Sequence, residues 1–370
     1  MINRHEIIRI IWDGESKVPA ISLLSLLLRI LSIPYRFAVG VRNFLYDQGT
    51  LRSKRLPCPV ISIGNLTVGG TGKTPLAILL AGMLKENGFR PAVLSRGYGR
   101  RGGQSSGVVS DGCRILMDHR QAGDEPFLMS LLLPQAPVIV GACRFLTGKK
   151  AIEELGADIL ILDDGFQHRG LYRDIDIVLL ESSRPLGNGR LLPGGSLREP
   201  PRGLRRADII VMTGSGNPAG SSLPGCRQPL LKGLAPCFQS CHRARAIIDA
   251  NRDALSLTFL QGKRIYAFSG IGNPLSFRRT IEDLGANLSG FEAFPDHHYY
   301  SAPEIAGITA HAQLLQADII LTTEKDGVRL LDFPDFLEKI FLLRIEMAFI
   351  PDGCVFFKRI LDDLKTVNTV

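Results

Sequence analysis

Short, mostly apolar runs fall at residues 60–63, 91–94, 137–140, 158–163, 175–180, 208–212, 264–269, 317–322 and 340–345. Runs of that length, bounded by turn residues, read as strands buried on both faces of a sheet. Between them the period changes. Residues 74–87 place apolar side chains at 76, 79, 80, 83 and 84, one face of a helix, and Gly88 ends it. Helical patterns also start at Asp124, run through 149–155, and lead from Pro274 to Leu284. Strands alternating with helices predict an α/β fold with a doubly wound, mostly parallel sheet. A Gly/Ser/Pro-rich stretch at 214–228 interrupts the alternation. It predicts a first α/β domain over 56–225, a linker with a β segment over 226–260, and a smaller α/β domain over 261–370.

Residues 1–55 follow neither pattern. Residues 21–31 read ISLLSLLLRIL between Pro19 and Pro34, and nine Lys/Arg stand against four Asp/Glu in this arm. Between those prolines a helix covers roughly 20 Å at ~1.5 Å per residue, short of the ~30 Å hydrocarbon layer. Arg29 interrupts it. The expectation is a helical arm lying in or dipping into a membrane leaflet with arginines at the headgroups. Packing on the protein's own core is the competing reading. No small-residue cleavage site marks a secretory signal.

Composition narrows the class. The chain has 370 residues, 45% hydrophobic and 22% charged, with a formal charge of +8. That surplus favours an anionic partner: nucleic acid, an acidic membrane or a phosphorylated substrate. No base-stacking aromatic cluster accompanies it, and much of it sits beside the apolar arm, which argues against nucleic acid. The seven cysteines are scattered. Cys237, Cys241 and His242 lack a second half for a zinc site, so reduced thiols in a cytosolic compartment are expected.

The chemistry concentrates after the first strand. Thr67, Val68, Gly69, Gly70, Thr71, Gly72, Lys73 and Thr74 form a glycine-rich turn that opens a helix. Polyphosphate is approached by bare backbone N–H groups, and the helix N-terminus adds about half a positive charge. Lys73 is placed to reach the β/γ-phosphates of ATP and Thr74 to hold Mg²⁺. The common pattern has Gly where Thr67 stands, so the loop is a variant one. The run 158–163 ends in Asp163-Asp164. An acid at that strand tip holds Mg²⁺ in phosphate-loop enzymes. Gln167 and His168 continue past the tip, where His168 reads equally as a site or a structural residue. Arg96, at a strand end where flexible glycines lie between arginines, and Arg144, Arg190 and Arg198 are candidate phosphate contacts. Asp124 reads locally as a helix cap. Asp296, His297 and His298 offer too few imidazoles for a metal and read as a catalytic or substrate-facing loop.

Seven motifs in order carry a resemblance: GNLTVGGTGKTP, LSRGYGRR, GDEP, LDDGFQHR, NGRLLPGGSLREP, FPDHHYY and TTEKDGVRL. With them the chain resembles the tetraacyldisaccharide 4′-kinases, which phosphorylate a lipid A precursor. Thr67 fits that family's loop. Gly194-Gly195-Ser196 departs from its usual Ala-Gly-Pro. The resemblance implies a P-loop NTPase-like fold. It implies transfer of the ATP γ-phosphate to the 4′-hydroxyl of tetraacyldisaccharide 1-phosphate, giving lipid IVA at the cytoplasmic face of the bacterial inner membrane. No obligatory protein partner is implied. It assigns a catalytic pair to Asp124 and His297, with Asp124 as base, alongside Lys73. Two rival classes remain: a P-loop NTPase switch or metal-delivery chaperone, and a nucleic-acid-binding ATPase. The switch predicts hydrolysis coupled to a protein partner with no sugar acceptor.

Overall fold

The computed structural model describes residues 12, 19–100, 106–214 and 233–367. The basic residues before Pro19, Arg101, Cys226 and all but Gly214 of the stretch 214–228 lie outside it, as does the expected border at 225/226.

Strand β1 (Val60–Asn65) is buried along its whole length, as its mostly apolar run requires. It lies between β5 (Ile159–Asp163) and β6 (Ile175–Glu181), parallel to both. The order continues outward through β2 (Pro91–Ser95) and β4 (Val138–Gly141) on one side, with β3 (Ser106–Ser110) antiparallel at the edge. On the other side β6 pairs with β7 (Ile209–Thr213). Helices such as Lys73–Glu86, from β1 to β2, and Arg144–Glu153, from β4 to β5, connect parallel strands that have one other strand between them. This is the expected mostly parallel, doubly wound sheet.

The sheet does not stop at β7. Strand β8 (Cys237–Ile248) pairs parallel with β7 through Cys237–Gln239 and antiparallel with β13 (Phe341–Ile350) along the rest of its length. The short β9 (Ala254–Leu255) pairs with β8. Beyond β13 come β12 (Ile319–Thr323), β10 (Arg264–Ser269) and β11 (Asn287–Ala293), all parallel. One continuous sheet therefore joins a P-loop lobe to a second lobe through the β8/β13 ribbon. The last helix, Cys354–Val367, turns Phe356, Ile360 and Leu364 into the core around helix Lys73–Glu86. By packing it belongs with the P-loop lobe. That i, i+4, i+8 spacing puts the three side chains on one helix face.

The arm differs from its expected form. It is one helix, Pro19–Asp47, which passes through Pro34. A proline inside a helix costs about 3 kcal/mol. Tertiary bonds on both sides of Pro34 outweigh that cost. Ser32 Oγ bonds Leu191 O at 3.0 Å, Tyr35 Oη donates to Arg198 O at 2.8 Å, and Asn43 Nδ2 donates to buried Glu199 at 3.2 Å. The helix thus spans about 43 Å at ~1.5 Å per residue, enough to cross a ~30 Å hydrocarbon layer. One face packs on the P-loop lobe, where Val39 and Asn43 are buried and Tyr35 lies against a core cluster; the other leaves Leu27, Ile33, Phe37 and Phe44 exposed, Phe37 by 73%. By length and composition, Ser22–Asp47 qualifies as a membrane span.

Among the described residues Cys58, Cys113, Cys143, Cys241 and Cys354 are free. Cys237 is disulfide-bonded, which departs from the expectation of reduced thiols throughout.

Candidate active site

At the end of β1 the chain enters the glycine-rich turn. Gly69 and Gly72 have φ of 121° and 86°, conformations that side-chain-bearing residues adopt only under strain. A Cβ on Gly72 would also lie 2.9 Å from His242 Nε2 and Met347 Cε. The turn is braced by Asn65 Nδ2 donating to Thr71 Oγ1 at 3.0 Å and by Val68 N–H donating to Ser196 O at 2.8 Å. Thr67 forms a bridge with Leu197, so the 188–200 loop supports the variant position. Helix Lys73–Glu86 begins directly after the turn with no side chain capping it. Its free N–H groups face a cleft of about 2830 Å³, lined by residues 67–74. Ligand pockets are typically about 300–1000 Å³, so the cleft has room for two substrates together.

Strand β5 delivers the paired carboxylates. Asp163 ends the strand, and Asp164 adopts φ 53°, so the strand alternation breaks between them. Both therefore line the same cleft. Asp163 is 2% exposed, and its Oδ2 accepts from Ser95 Oγ at 3.2 Å. Burial, then the charges of Glu125 and Asp164, push its carboxyl up to about 7. Its buried Oδ1 has no hydrogen-bond partner. Asp164 is held below its ordinary range: burial opposes the charge, but Lys73, with Nζ 3.5 Å away, and Arg198, with Nη1 at 2.8 Å, outweigh it. Among the described residues no group of three His, Cys, Asp or Glu side chains is arranged as a metal site. Mg²⁺ in phosphotransfer sites takes one or two carboxylates plus substrate phosphate and water, so it does not require such a group. The orphaned Asp163 oxygen, in a hard oxygen-donor environment, fits that ion.

Across the cleft stands the loop after β11. His297 has φ 58°, and its Nδ1 lies 3.1 Å from Asp124 Oδ2. Asp124 is the first residue of helix Asp124–Leu132 but does not cap it; its side chain is 4% exposed and turned toward the second lobe. Arg329 Nε donates to the same Oδ2 at 2.6 Å. Burial works against the Asp124 charge, yet the bonds from His297 and Arg329 hold the carboxyl well below its usual range. His297 lines the cleft, with Lys325 Nζ 3.5 Å from its Nε2. The Asp124 side chain is behind it.

The remaining candidates separate. Arg96 and Gln167 line the cleft, and Gln167 Nε2 donates to Asn65 O at 2.8 Å and Glu199 at 3.0 Å. Arg198 lines it too, with its guanidinium on Asp164. Arg144 is buried with its guanidinium on the carbonyls of Gly141 and Ala142, and Arg190 is solvent-exposed; neither lines the cleft. His168 also lies off the lining. Burial, then Arg144, Arg173 and Arg96, pull its imidazole down to about 4, so it is neutral near pH 7. Gly194 seats the 188–200 loop against the arm: a Cβ there would meet Ser32 Oγ at 2.6 Å. The departure from Ala at this position thus coincides with a close approach to the arm helix.

Sequence reasoning missed Glu125, Lys325 and Arg329. Lys325 Nζ donates to Glu125 Oε1 at 2.8 Å, joining the lobes at the cleft. All three stood inside quoted motifs. For Glu125 and Lys325 the available signal was a charged residue in the first turn of a helix; Arg329, in the last turn of Glu324–Arg329, carried none.

A sequence model of the tetraacyldisaccharide-1-P 4′-kinases (LpxK) matches residues 24–365. A tetraacyldisaccharide 4′-kinase of Syntrophus aciditrophicus is 49% identical over 360 residues, covering 95% of this chain and 96% of its own. One from Anaeromyxobacter dehalogenans is 44% identical over 323 residues, covering 86% and 85%. The crystal structure of LpxK from Aquifex aeolicus in complex with ATP superposes with a TM-score of 0.74 at 34% identity, covering 92% of this chain and 99% of that one. A phosphate-binding turn, a paired-carboxylate strand tip and a facing Asp–His pair therefore stand in a fold and sequence of known kind: the chain belongs to the tetraacyldisaccharide-1-P 4′-kinase family.

Proposed function

We propose that this protein transfers the γ-phosphate of ATP to the 4′-hydroxyl of tetraacyldisaccharide 1-phosphate, forming lipid IVA in lipid A biosynthesis. One observation carries the reading beyond family membership. The cleft runs from the glycine-rich turn past His297 to Tyr35, Val39 and Arg42 of the apolar arm helix. One cavity lined by the glycine-rich turn, His297 and the arm helix supports a donor and a lipid acceptor meeting there.

Residues 67–74 cradle the triphosphate with backbone N–H groups. Lys73 neutralises charge that develops on the transferring group. Asp163, Asp164 and the Thr74 hydroxyl are the residues that would hold Mg²⁺, which supplies charge neutralisation at the phosphates. The Asp124–His297 pair takes the proton of the acceptor hydroxyl. His297 presents its ring to the cleft, and Asp124 lies behind it as a fixed negative charge that favours the charged imidazolium. This revises the assignment of Asp124 as the direct base: its burial and depressed pKa suit it to orienting and charging His297. Arg96 and Arg198 serve as phosphate contacts from the cleft wall. The two lobes, joined by the β8/β13 ribbon, exclude water from ATP by closing on the acceptor. The exposed arm face inserts into the cytoplasmic leaflet of the inner membrane, where ATP and the lipid meet.

The test is product analysis. Enzyme, ATP, Mg²⁺ and the acceptor in detergent micelles are expected to give a bisphosphate whose fragmentation places the new phosphate on the 4′ carbon of the distal sugar. Phosphate at another hydroxyl would overturn the regiochemistry. Hydrolysis of ATP with no modified lipid would move the assignment to an NTPase switch.

A further inference from the structure

Arg329 is 1% exposed, deeper than any other charged residue lining the junction of the lobes except Asp326. A buried guanidinium is costly unless it is paired; here Nε and Nη1 are bonded and the buried Nη2 has no hydrogen-bond partner. Its Nε donates to Asp124 Oδ2 at 2.6 Å, in the P-loop lobe. Its Nη1 donates to Asp326 Oδ1 at 3.0 Å and to Gly270 O at 2.7 Å, both in the second lobe. The Gly270 carbonyl also accepts the backbone N–H of His297 at 3.2 Å. One planar group therefore grips both members of the proton-accepting pair: the Asp124 carboxylate directly, and the His297 backbone through a shared carbonyl.

The grip is itself held. Asp326 Oδ1 accepts from Gly270 N–H at 3.0 Å and Tyr300 Oη at 3.0 Å, while its Oδ2 accepts from Thr323 Oγ1 at 2.7 Å. Asp326 thus has no freedom to turn. A Cβ on Gly270 would lie 3.1 Å from Asp326 Oδ1 and 3.2 Å from Pro295 O, so glycine is what lets the carbonyl approach this closely. The TTEKDGVRL motif and the turn after β10 acquire a common purpose. Both His297 and Arg329 use Oδ2 of Asp124, so Arg329 anchors the oxygen that His297 Nδ1 meets.

We infer that Arg329 is the positioning residue of the Asp124–His297 pair, setting their mutual geometry across the lobe junction. The inference rests on the proposed role of that pair. Arg329 does not itself line the cleft, and its hydrogen bonds go to Asp124, Gly270 and Asp326 and not to the glycine-rich turn, so its loss acts on chemistry and spares nucleotide binding.

The experiment measures transfer to tetraacyldisaccharide 1-phosphate for wild type, Arg329→Gln, Arg329→Lys, Asp124→Asn and the Asp124→Asn/Arg329→Gln double variant. Arg329→Gln is expected to lower kcat about 100-fold, the scale of acid–base assistance, with KM for ATP within ~3-fold. In the Asp124→Asn background the same change is expected to cost less than ~3-fold, because the carboxylate it positions is already gone. Arg329→Lys keeps the buried charge but not the planar span between Asp124 and Gly270; it is expected to keep the wild-type melting temperature and lose kcat about 10-fold. This variant decides the matter if Arg329→Gln does not fold. Full activity in Arg329→Lys, or an undiminished Arg329→Gln loss in the Asp124→Asn background, would overturn the inference. Loss in Asp124→Asn with none in Arg329→Gln would sink this inference alone. Full activity in Asp124→Asn would instead remove the pair's role and this inference with it.

Discussion

Replacing Asp163 with asparagine is predicted to abolish transfer yet stabilise the metal-free protein at alkaline pH. In the fold its carboxyl sits at about 7 against an ordinary 3.8, because it is buried beside Glu125 and Asp164. Below pH 4 the group is protonated in both folded and unfolded chains and contributes nothing. Between 4 and 7 the unfolded chain releases the proton and the folded one retains it, so stability falls as pH rises. At about 1.4 kcal/mol per unit, three units set a ceiling of about 4 kcal/mol. Relaxation and water entry in a wide cleft reduce this to about 2 kcal/mol, or roughly 4 °C in melting temperature for a chain of this size. The assay is thermal unfolding of wild type and Asp163→Asn in excess chelator at pH 8 and pH 5. The variant is expected to melt higher at pH 8, with the gap shrinking by more than half at pH 5. A variant that melts at or below wild type at pH 8, or a gap independent of pH, refutes the reasoning that Asp163 is strained until a cation arrives.

Three further outcomes follow from the same geometry. Gly72→Ala forces a left-handed residue, costing about 1–2 kcal/mol, and crowds His242 and Met347; KM for ATP is expected to rise at least ~10-fold in steady-state kinetics. Arg198→Ala removes the 2.8 Å partner of Asp164 and leaves Lys73, 3.5 Å away. Transfer is expected to fall about 10-fold while the fold, followed by circular dichroism, is kept. Phe37→Ser and Ile33→Ser act on side chains 73% and 66% exposed. Each removes about 2 kcal/mol of burial in lipid, so flotation with anionic phospholipid vesicles is expected to weaken ~10-fold or more per substitution. Unchanged flotation would exclude the arm face as the membrane contact.

Local signals made the P-loop lobe legible. The apolar runs at β1, β5 and β6 are buried on both faces, so they carry no alternation and stand out in the sequence. The glycines of the turn are required by backbone conformation, and that requirement is written in residue type. What the sequence concealed depends on distant packing. The arm helix continues through Pro34 because Ser32, Tyr35 and Asn43 are bonded to the 188–200 loop, contacts separated by 156 to 163 residues in sequence. β3 and β11 escaped because their exposed and half-buried positions lack an apolar run. Asp124 read as a cap because its partners, His297 and Arg329, come from the other lobe. Arg144 read as a phosphate contact because position after a strand does not reveal that a guanidinium has folded back onto carbonyls. Gly194 and Gly270 looked like ordinary turn residues; their role is close approach, to the arm helix in one case and to Asp326 in the other.

The central claim is that the cleft delivers a turn-held γ-phosphate to a lipid hydroxyl deprotonated by the Asp124–His297 pair. The most direct measurement is a single-turnover experiment with γ-labelled ATP and tetraacyldisaccharide 1-phosphate in micelles, resolving labelled lipid from labelled inorganic phosphate. Wild type is predicted to put the label on the lipid. His297→Ala and Asp124→Ala are each predicted to lose transfer by ~100-fold or more while binding ATP as wild type does. Label released as inorganic phosphate by wild type, or transfer at the wild-type rate by both variants, would contradict the account.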